Sequence, residues 1–448
     1  MIPRALTVAG SDSGGGAGIQ ADLKTFASLG VHGMSAVTAI TAQNTVGVEK
    51  IHDVPVDVVK AQIRAVMEDI GVDAVKTGML HSEEIVNAVA NELRKGEFPI
   101  VVDPVMIAKS GAILLKPEAV EAVMREMFPI AKVVTPNRRE AEYLVNMEIK
   151  SLEDAKTVAE KLSKLGPEAV IVKGGHMPIG GECIDILYSN GSFKSFSGPY
   201  IESRTDHGTG CTFSSAITAE LAKGRGLIEA IEVAKKFIVK SIAFGLPIGK
   251  GHGPVNPMAW LESRAQKYEV LEELNRAIRI LESNPYASRI VPEVQMNLTM
   301  ALPYATDRSE VAAVPGRIVN LGESVKASSP PRFGASKHVS SAVLALMRID
   351  PSYRSILNMR YSSEALKIAR DLGYETSFYD RSKEPEEVKK VEGATIPWGV
   401  RTAIERAGRV VDIVYHLGDV GKEPMILVLG TSATSVVEKA LKIAQRLS

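Results

Sequence analysis

The apolar positions of the chain change period in a regular way. Short β-branched runs at Arg4–Val8, Ser35–Ala42, Ala74–Thr77, Ile100–Asp103, Val133–Thr135 and Val170–Lys173 predict strands, and each leads into an amphipathic stretch. After the first run, Ile19, Leu23 and Phe26 fall at i, i+4 and i+7, the spacing of one helix face. Such alternation predicts an α/β fold with a mostly parallel sheet flanked by helices. Near Ile184–Ser195 the pattern becomes two strands around Asn190-Gly191, a hairpin signal. Residues Gly249–Pro257, GKGHGPVNP, then break the periodicity. Beyond them Leu271, Leu274, Ile278 and Leu281 give Val270–Leu281 one apolar helix face. A boundary near residues 258–268 therefore divides a first domain, 1–260, from a second, smaller α/β domain, 268–448. In the second, strands are expected at Arg317–Asn320, Ser355–Met359, Val410–Tyr415 and Met425–Leu429. Helices are expected at Lys337–Met347, Ser363–Leu372, Val400–Ala407 and Thr434–Leu447.

Composition narrows the setting. A length of 448 residues is more than one ordinary core holds, which agrees with two domains. Lys plus Arg (53) equals Asp plus Glu (53), so no global field draws the chain to nucleic acid or anionic lipid. The two cysteines, Cys183 and Cys211, make no disulfide framework and fit a reducing, cytoplasmic setting. No apolar run approaches the roughly 18 residues of a membrane span. The start, MIPRALTVAG, reads as a strand and lacks the pattern of a signal peptide. Only six Gln stand among plentiful Glu and Lys, a composition that tilts toward a thermophile.

Candidate chemistry collects at predicted strand ends, where parallel-sheet enzymes keep it. There is no G-x-x-x-x-G-K-[ST] stretch. Gly14, Gly15, Gly16 and Gly18 lie between a strand and a helix, as a phosphate loop or simply as a tight turn. More specific is Arg204–Ile217, RTDHGTGCTFSSAI, in which Gly208, Thr209 and Gly210 precede a helix. Their backbone N–H groups would bind an anion or a developing negative charge. Cys211, in the first turn, would have its thiolate favoured by the same field, unless it is a small packing residue. Gln43-Asn44, Asp103-Pro104, Asn137 with Glu140, and Lys173 through His176 end other strands. Asn137 also suits a helix cap.

In chain order, "AGSDSGGGAGIQAD", "TAITAQNT", "KTGML", "VVDPVM", "TPNRREAEYL", "VKGGH" and "HGTGCT" resemble the hydroxymethylpyrimidine/phosphomethylpyrimidine kinases of thiamine biosynthesis, in the ribokinase-like family. The resemblance spans residues 3–257 and implies two ATP-dependent phosphorylations at one hydroxymethyl carbon. It places Gly10, Asp22, Gln43 and Met79 in a pyrimidine pocket, with Met106 as a lid or as helix-start packing. Gln43 offers a donor and an acceptor, which suits an aminopyrimidine edge. Lys173 is implied near ATP phosphates, and Asp103, Asn137 and Glu140 in the Mg²⁺–phosphate environment, Asp103 and Glu140 as the metal carboxylates. Gly208, Thr209 and Gly210 become the anion hole, and Cys211 the residue that takes the alcohol proton or positions the alcohol. Kinases of this kind commonly pair, so a homodimer or higher homo-oligomer is expected. The nearest rival reading is a pyridoxal-type kinase.

In the second domain, Gly316–His338, GRIVNLGESVKASSPPRFGASKH, combines Arg317, Lys326, Arg332, Lys337 and His338 with Ser and Gly, a composition suited to an anionic ligand. Gly430-Thr431-Ser432 offers either an anion site at a helix start or a simple cap. The stretches "VPEVQMNLTMALP", "VPGRIVN", "PRFGASKH" and "GTSA" resemble ThiN-type thiamine-phosphate synthase domains. That resemblance implies coupling of the pyrimidine diphosphate to thiazole phosphate with loss of diphosphate. Arg317 and Arg332 would neutralise the leaving group, His338 would donate to it, and Lys337 would assist in binding. The alternative is a domain that senses thiamine phosphate without making it.

Overall fold

The computed structural model describes residues 2–106, 114–175, 181–390, 393–419 and 421–447. The chain divides into two compact units, Met1–Leu261 and Glu262–Ser448.

The first unit is built on a nine-stranded sheet. Its strands are β1 Arg4–Asp12, β2 His32–Gln43, β3 Val48–Asp53, β4 Ala74–Thr77, β5 Ile100–Val102, β6 Val133–Val134, β7 Ala169–Val172, β8 Glu182–Ser189 and β9 Ser192–Pro199. Their order is β3-β2-β1-β4-β5-β6-β7-β8-β9. The strands from β2 through β7 are mutually parallel, and β3, β8 and β9 add antiparallel edges. Asn190 and Gly191, both with positive φ (50° and 74°), form the turn between β8 and β9, as the twist of a two-residue hairpin requires.

Alternation along the parallel strands sends side chains into two separate cores. Leu6, Val8 and Val75 join one core, with the helices at Val56–Ala65, Glu83–Leu93 and Leu152–Ser163. Ala5, Ala74, Val101 and Ile171 join the other, with the helices Gly18–Ser28, Thr209–Ala222 and Leu227–Ala243. Helices thus cover both faces, which is why the central strands read as nearly continuous apolar runs. Strand β3, VEKIHD, is an edge that the apolar pattern did not predict, because its residues are half or fully exposed.

The second unit has a seven-stranded sheet of order β14-β11-β10-β15-β18-β17-β16 and a separate hairpin, β12-β13. These strands are β10 Leu298–Ala301, β11 Val311–Ala313, β12 Ile318–Asn320, β13 Val325–Ala327, β14 Arg332–Phe333, β15 Ser355–Arg360, β16 Thr376–Phe378, β17 Ile413–His416 and β18 Met425–Gly430. All its pairings are antiparallel except β16 with β17. The helices Lys267–Ser283, Ser363–Asp371 and Ala433–Ala444 pack on one face of the sheet, and His338–Met347 and Thr395–Ala407 on the other. No helix among the described residues is long and apolar enough to cross a membrane.

Candidate active site

The strand ends of the first unit open into a cavity of about 1030 Å³. Gly10, Gln43, Met79, Asp103, Met106, Asn137, Glu140, Lys173 and Gly208 through Cys211 all line it. Met106, 6% exposed, lines the cavity and also packs in the core.

Asp22 is the exception. Its side chain is completely buried and lies beneath the cavity, outside its lining. It accepts from Thr7 Oγ1 (2.7 Å), Ser215 Oγ (2.6 Å) and Lys76 Nζ (2.8 Å). The expectation of a direct pyrimidine contact is therefore corrected: its acceptor sites are taken up by the protein itself. Lys76, also fully buried, is the cavity-lining member of this pair. Burial works against its charge, but Asp22, Cys211 and Asp103 outweigh that and raise its pKa. Sequence reading passed over Lys76, although a lysine in the apolar run AVKT was a usable signal.

The glycine loop resolves as a tight turn. Asp12 Oδ1 accepts from Gly14 N (2.8 Å), and Oδ2 from Gly16 N (3.0 Å) and Ala17 N (2.7 Å). Those donors are consumed internally and do not face a phosphate. Burial would raise the Asp12 pKa, but hydrogen bonds from His207, Ala17 and Gly14 hold it below the usual range. Gly18 has φ +57°, and a Cβ there would stand 2.4 Å from Gly10 O.

The helix Thr209–Ala222 starts at Gly208, whose φ is +81°. A Cβ on Gly208 would lie 1.8 Å from Gly16 O, so only glycine lets the two turns meet. Gly210 stands directly against an ion pair: an added Cβ would lie 3.3 Å from Lys173 Nζ and 3.5 Å from Asp103 Oδ2. First-turn N–H groups lack intrahelical acceptors, so a partial positive charge, an ammonium and a carboxylate converge there.

Lys173 Nζ donates to Asp103 Oδ1 at 3.0 Å, and Asp103 also accepts from Thr135 Oγ1 and Ser214 Oγ, both at 3.2 Å. Burial opposes the Lys173 charge, yet Asp103 and Glu140 raise its pKa. Asn137 and Glu140 form a capping box on the helix Arg138–Val145, with Glu140 N donating to Asn137 Oδ1 at 3.0 Å and Asn137 N to Glu140 Oε2 at 2.8 Å. Burial raises the Glu140 pKa, Lys173 opposes this, and Asp103 adds to it. Among the described residues no group of three metal-ligating side chains occurs.

Cys211 sits where the sequence placed it, but its ionisation is corrected. Burial pushes the thiol up to about 11, and Asp22 and Asp103 oppose the thiolate further. Lys76 and the Gly18 N–H lower the value without restoring it. The helix field is outweighed by desolvation. At neutral pH Cys211 is a thiol.

His207 was quoted in the sequence motif but given no role. Its Nε2 lies 3.1 Å from Asp12 Oδ2 and 3.2 Å from Gln43 Nε2. The far wall holds Phe213, Ile238, Val239 and Ile242, with the buried pair Lys235–Asp185 (2.7 Å) beside them. His176 lies outside the described residues.

Residues 12–256 match the family described as phosphomethylpyrimidine kinase. The chain belongs to that family. Residues 273–442 match the family described as thiamine-phosphate synthase ThiN. The Bacillus subtilis hydroxymethylpyrimidine/phosphomethylpyrimidine kinase is 49% identical over 260 residues, 58% of this chain and 96% of that one. The Geobacter sulfurreducens thiamine biosynthesis bifunctional protein ThiED is 51% identical over 252 residues, 56% of this chain and 51% of that one. The ADP complex of Bacillus subtilis pyridoxal kinase is 38% identical, with a TM-score of 0.53, over 57% of this chain and 97% of that one. The Staphylococcus aureus pyridoxal kinase with AMP-PCP and pyridoxal is 36% identical, with a TM-score of 0.54, over 58% of this chain and 95% of that one.

In the second unit the backbone at Pro315–Arg317 runs beside that at Ser328–Ser329. Ser328 N donates to Arg317 O (3.0 Å), Ser329 Oγ to Pro315 O (3.0 Å), and Arg332 pairs with Ala313 across β11 and β14. Arg317, Arg332, Lys337 and His338 are exposed, and His338 opens its helix. The Arg317 guanidinium donates to Val294 O, on a backbone with φ +74°. At Gly430–Ser432 the cap reading prevails: Ser432 caps the last helix, and Glu273 Oε1 occupies its start, accepting from Thr434 N (3.0 Å) and Thr434 Oγ1 (2.6 Å). Sequence reading also missed a buried polar cluster. The Tyr379 hydroxyl, Arg381 Nε and Glu384 Oε1 are buried without hydrogen-bond partners among the described residues, and the Tyr379 ring lies 5.1 Å from that of His416.

Proposed function

We propose that the first unit phosphorylates 4-amino-5-hydroxymethyl-2-methylpyrimidine twice with ATP, giving the monophosphate and then the diphosphate. The second unit then joins the diphosphate to thiazole phosphate, giving thiamine monophosphate. The observation that carries the kinase reading is that the helix start Gly208–Cys211 and the Lys173–Asp103 pair line the same cavity. A γ-phosphoryl group seated there would meet first-turn N–H groups on one side and Lys173 on the other. In the first round the substrate hydroxyl forms the new O–P bond, the bond to the ADP oxygen breaks, the hydroxyl proton passes to an oxygen of the transferred phosphoryl group, and ADP leaves; in the second round an oxygen of the monophosphate is the nucleophile. Charge neutralisation carries most of such a reaction, so a neutral Cys211 suffices to orient the alcohol. Gln43, Met79 and Gly10 would hold the pyrimidine, and the apolar wall at Phe213 and Ile242 the adenine.

Two carboxylates with nucleotide phosphates are a usual Mg²⁺ environment, and Asp103 and Glu140, both buried in the lining, fit it. Bound Mg²⁺ would neutralise phosphate charge. Asp103 would exchange part of its contact with Lys173 for it, and Asn137 would keep Glu140 in place. For the second unit, Arg317, Arg332 and Lys337 would stabilise the departing diphosphate, with His338 donating to it. The same reading has the chain working in the cytoplasm as a homo-oligomer.

The test is direct. Purified protein with the hydroxymethylpyrimidine, ATP and Mg²⁺ should yield both phosphates, and addition of thiazole phosphate should yield thiamine monophosphate. Phosphorylation of pyridoxal with none of the pyrimidine would replace the kinase reading. Arg317→Ala and His338→Ala should each lower coupling at least about 100-fold. Full coupling in both variants would remove those residues from the site.

A further inference from the structure

Hydrogen-bond accounting around Gln43 carries one step more, and it rests on the kinase reading. Asp12 accepts three backbone N–H groups at 2.7–3.0 Å, so it is a carboxylate and can only accept. His207 Nε2, 3.1 Å from Asp12 Oδ2, must therefore carry a proton and donate. This holds whether the imidazole is neutral or charged. Gln43 Nε2 at 3.2 Å from that same atom would set N–H against N–H. On its other side the amide oxygen lies 3.3 Å from Thr41 Oγ1. The Thr41 hydrogen, however, is better spent on Ser11 O at 2.8 Å, which leaves Thr41 Oγ1 as an acceptor. Both neighbours thus favour the same amide orientation, reached by a half-turn about the last side-chain bond. Gln43 Oε1 then accepts from His207, and Nε2 donates to Thr41.

We propose that His207, held by Asp12, is a positioning residue that locks this amide orientation and so makes the kinase select an amino-substituted ring over its oxo counterpart. After the half-turn, Gln43 has one N–H and one oxygen lone pair to spare, and it lines the cavity. A ring nitrogen next to an amino group presents acceptor and donor in the order that this edge matches. The oxo form presents a ring N–H next to a carbonyl, the reverse order. A freely turning glutamine would serve both rings equally. The 5-hydroxymethyl group must face the phosphoryl site, so the ring cannot turn over to exchange its donor and acceptor; a glutamine held between His207 and Thr41 then serves one ring, and the other leaves polar groups unpaired. The lock also ties specificity to the glycine turn. The His207 ring packs against Gly16, where an added Cβ would come within 2.4 Å of it.

The experiment compares kcat/KM for 4-amino-5-hydroxymethyl-2-methylpyrimidine and its 4-oxo analogue, using the full chain. Wild type should favour the amino compound by at least about 100-fold. His207→Leu, which lacks the donor, should reduce that ratio at least about tenfold, mainly through KM of the pyrimidines, with KM for ATP little moved. His207→Gln, which restores an N–H near the same place, should recover most of the ratio. Thr41→Val removes the acceptor on the opposite side and should also relax the ratio; it decides the matter if His207→Leu does not fold. An unchanged ratio in folded Leu and Val variants, or no preference in wild type, overturns the proposal. Failure of wild type to phosphorylate the amino compound at all would instead overturn the kinase reading.

Discussion

At Cys211 two fields compete, and their balance sets what the residue can do. The helix start and Lys76 favour the thiolate, while burial and two nearby carboxylates oppose it, leaving a pKa of about 11. Below that value each pH unit lowers the thiolate fraction about tenfold. If the thiolate were the base, kcat would climb tenfold per unit between pH 7 and 9. We expect a flat profile there, and Cys211→Ser within about tenfold of wild type, since an obligatory base is worth about 10²–10⁴-fold. A rise of unit slope would return the base role to the sulfur. The buried pair Lys76–Asp22 makes a second residue-scale prediction. Lys76→Met strands a carboxylate with no exposure, which should cost about 3–5 kcal/mol in denaturant unfolding. His416 gives a third. Burial, followed by Arg381, lowers its pKa to about 4, so it stays neutral in the folded chain while the unfolded chain protonates it below about 6.5. The unfolded state then binds the extra proton. The second unit should therefore lose stability as pH falls from about 6.5 to about 4, by up to about 1.4 kcal/mol per unit. His416→Gln should flatten that slope in pH-dependent melts.

Between elements, the contact that matters most is the one joining two turns. The Gly14–Gly18 turn, drawn together by Asp12, meets the start of the Thr209–Ala222 helix where Gly16 O faces Gly208. Backbone against backbone leaves no flexible group to yield. Gly208→Ala should therefore shift the helix start away from Lys173 and Asp103 and lower ATP-dependent turnover at least about 100-fold, a misplacement of an ångström being enough. Pyrimidine phosphorylation assays on a folded variant would check this; near-normal turnover would mean that the helix start is not the phosphoryl cradle. The elements themselves were unequally legible. Buried parallel strands such as Ala74–Thr77 announce themselves, because both of their faces are apolar. The exposed edge β3 and the two- and three-residue strands β14 and β16 do not, since pairing with a distant neighbour, rather than local pattern, makes them strands.

Across the whole molecule, each unit carries its own main sheet and its own cores on that sheet's two faces. Residues 1–261 and 262–448 expressed separately should both fold, the first retaining pyrimidine phosphorylation and the second coupling. Activity scans and calorimetry of the halves would show it, and loss of either activity on separation would make the fusion obligatory. The sequence by itself determined the α/β alternation, the parallel first sheet, the family, and the set of polar residues at the strand ends. Those follow from periodicity and from motifs that are contiguous along the chain. Only the tertiary structure decided that Asp22 serves Lys76 rather than the cavity, that the glycine turn spends its donors on Asp12, that Cys211 is a thiol, and that His207 stands between Asp12 and Gln43. The glycine turn's contacts with Asp12 are local, two to five positions apart, but they depend on a turn conformation that residue order alone does not set. The other three share one physical reason. Burial, hydrogen-bond partners and amide orientation are set by residues tens to hundreds of positions apart, and composition along the chain carries no measure of that distance.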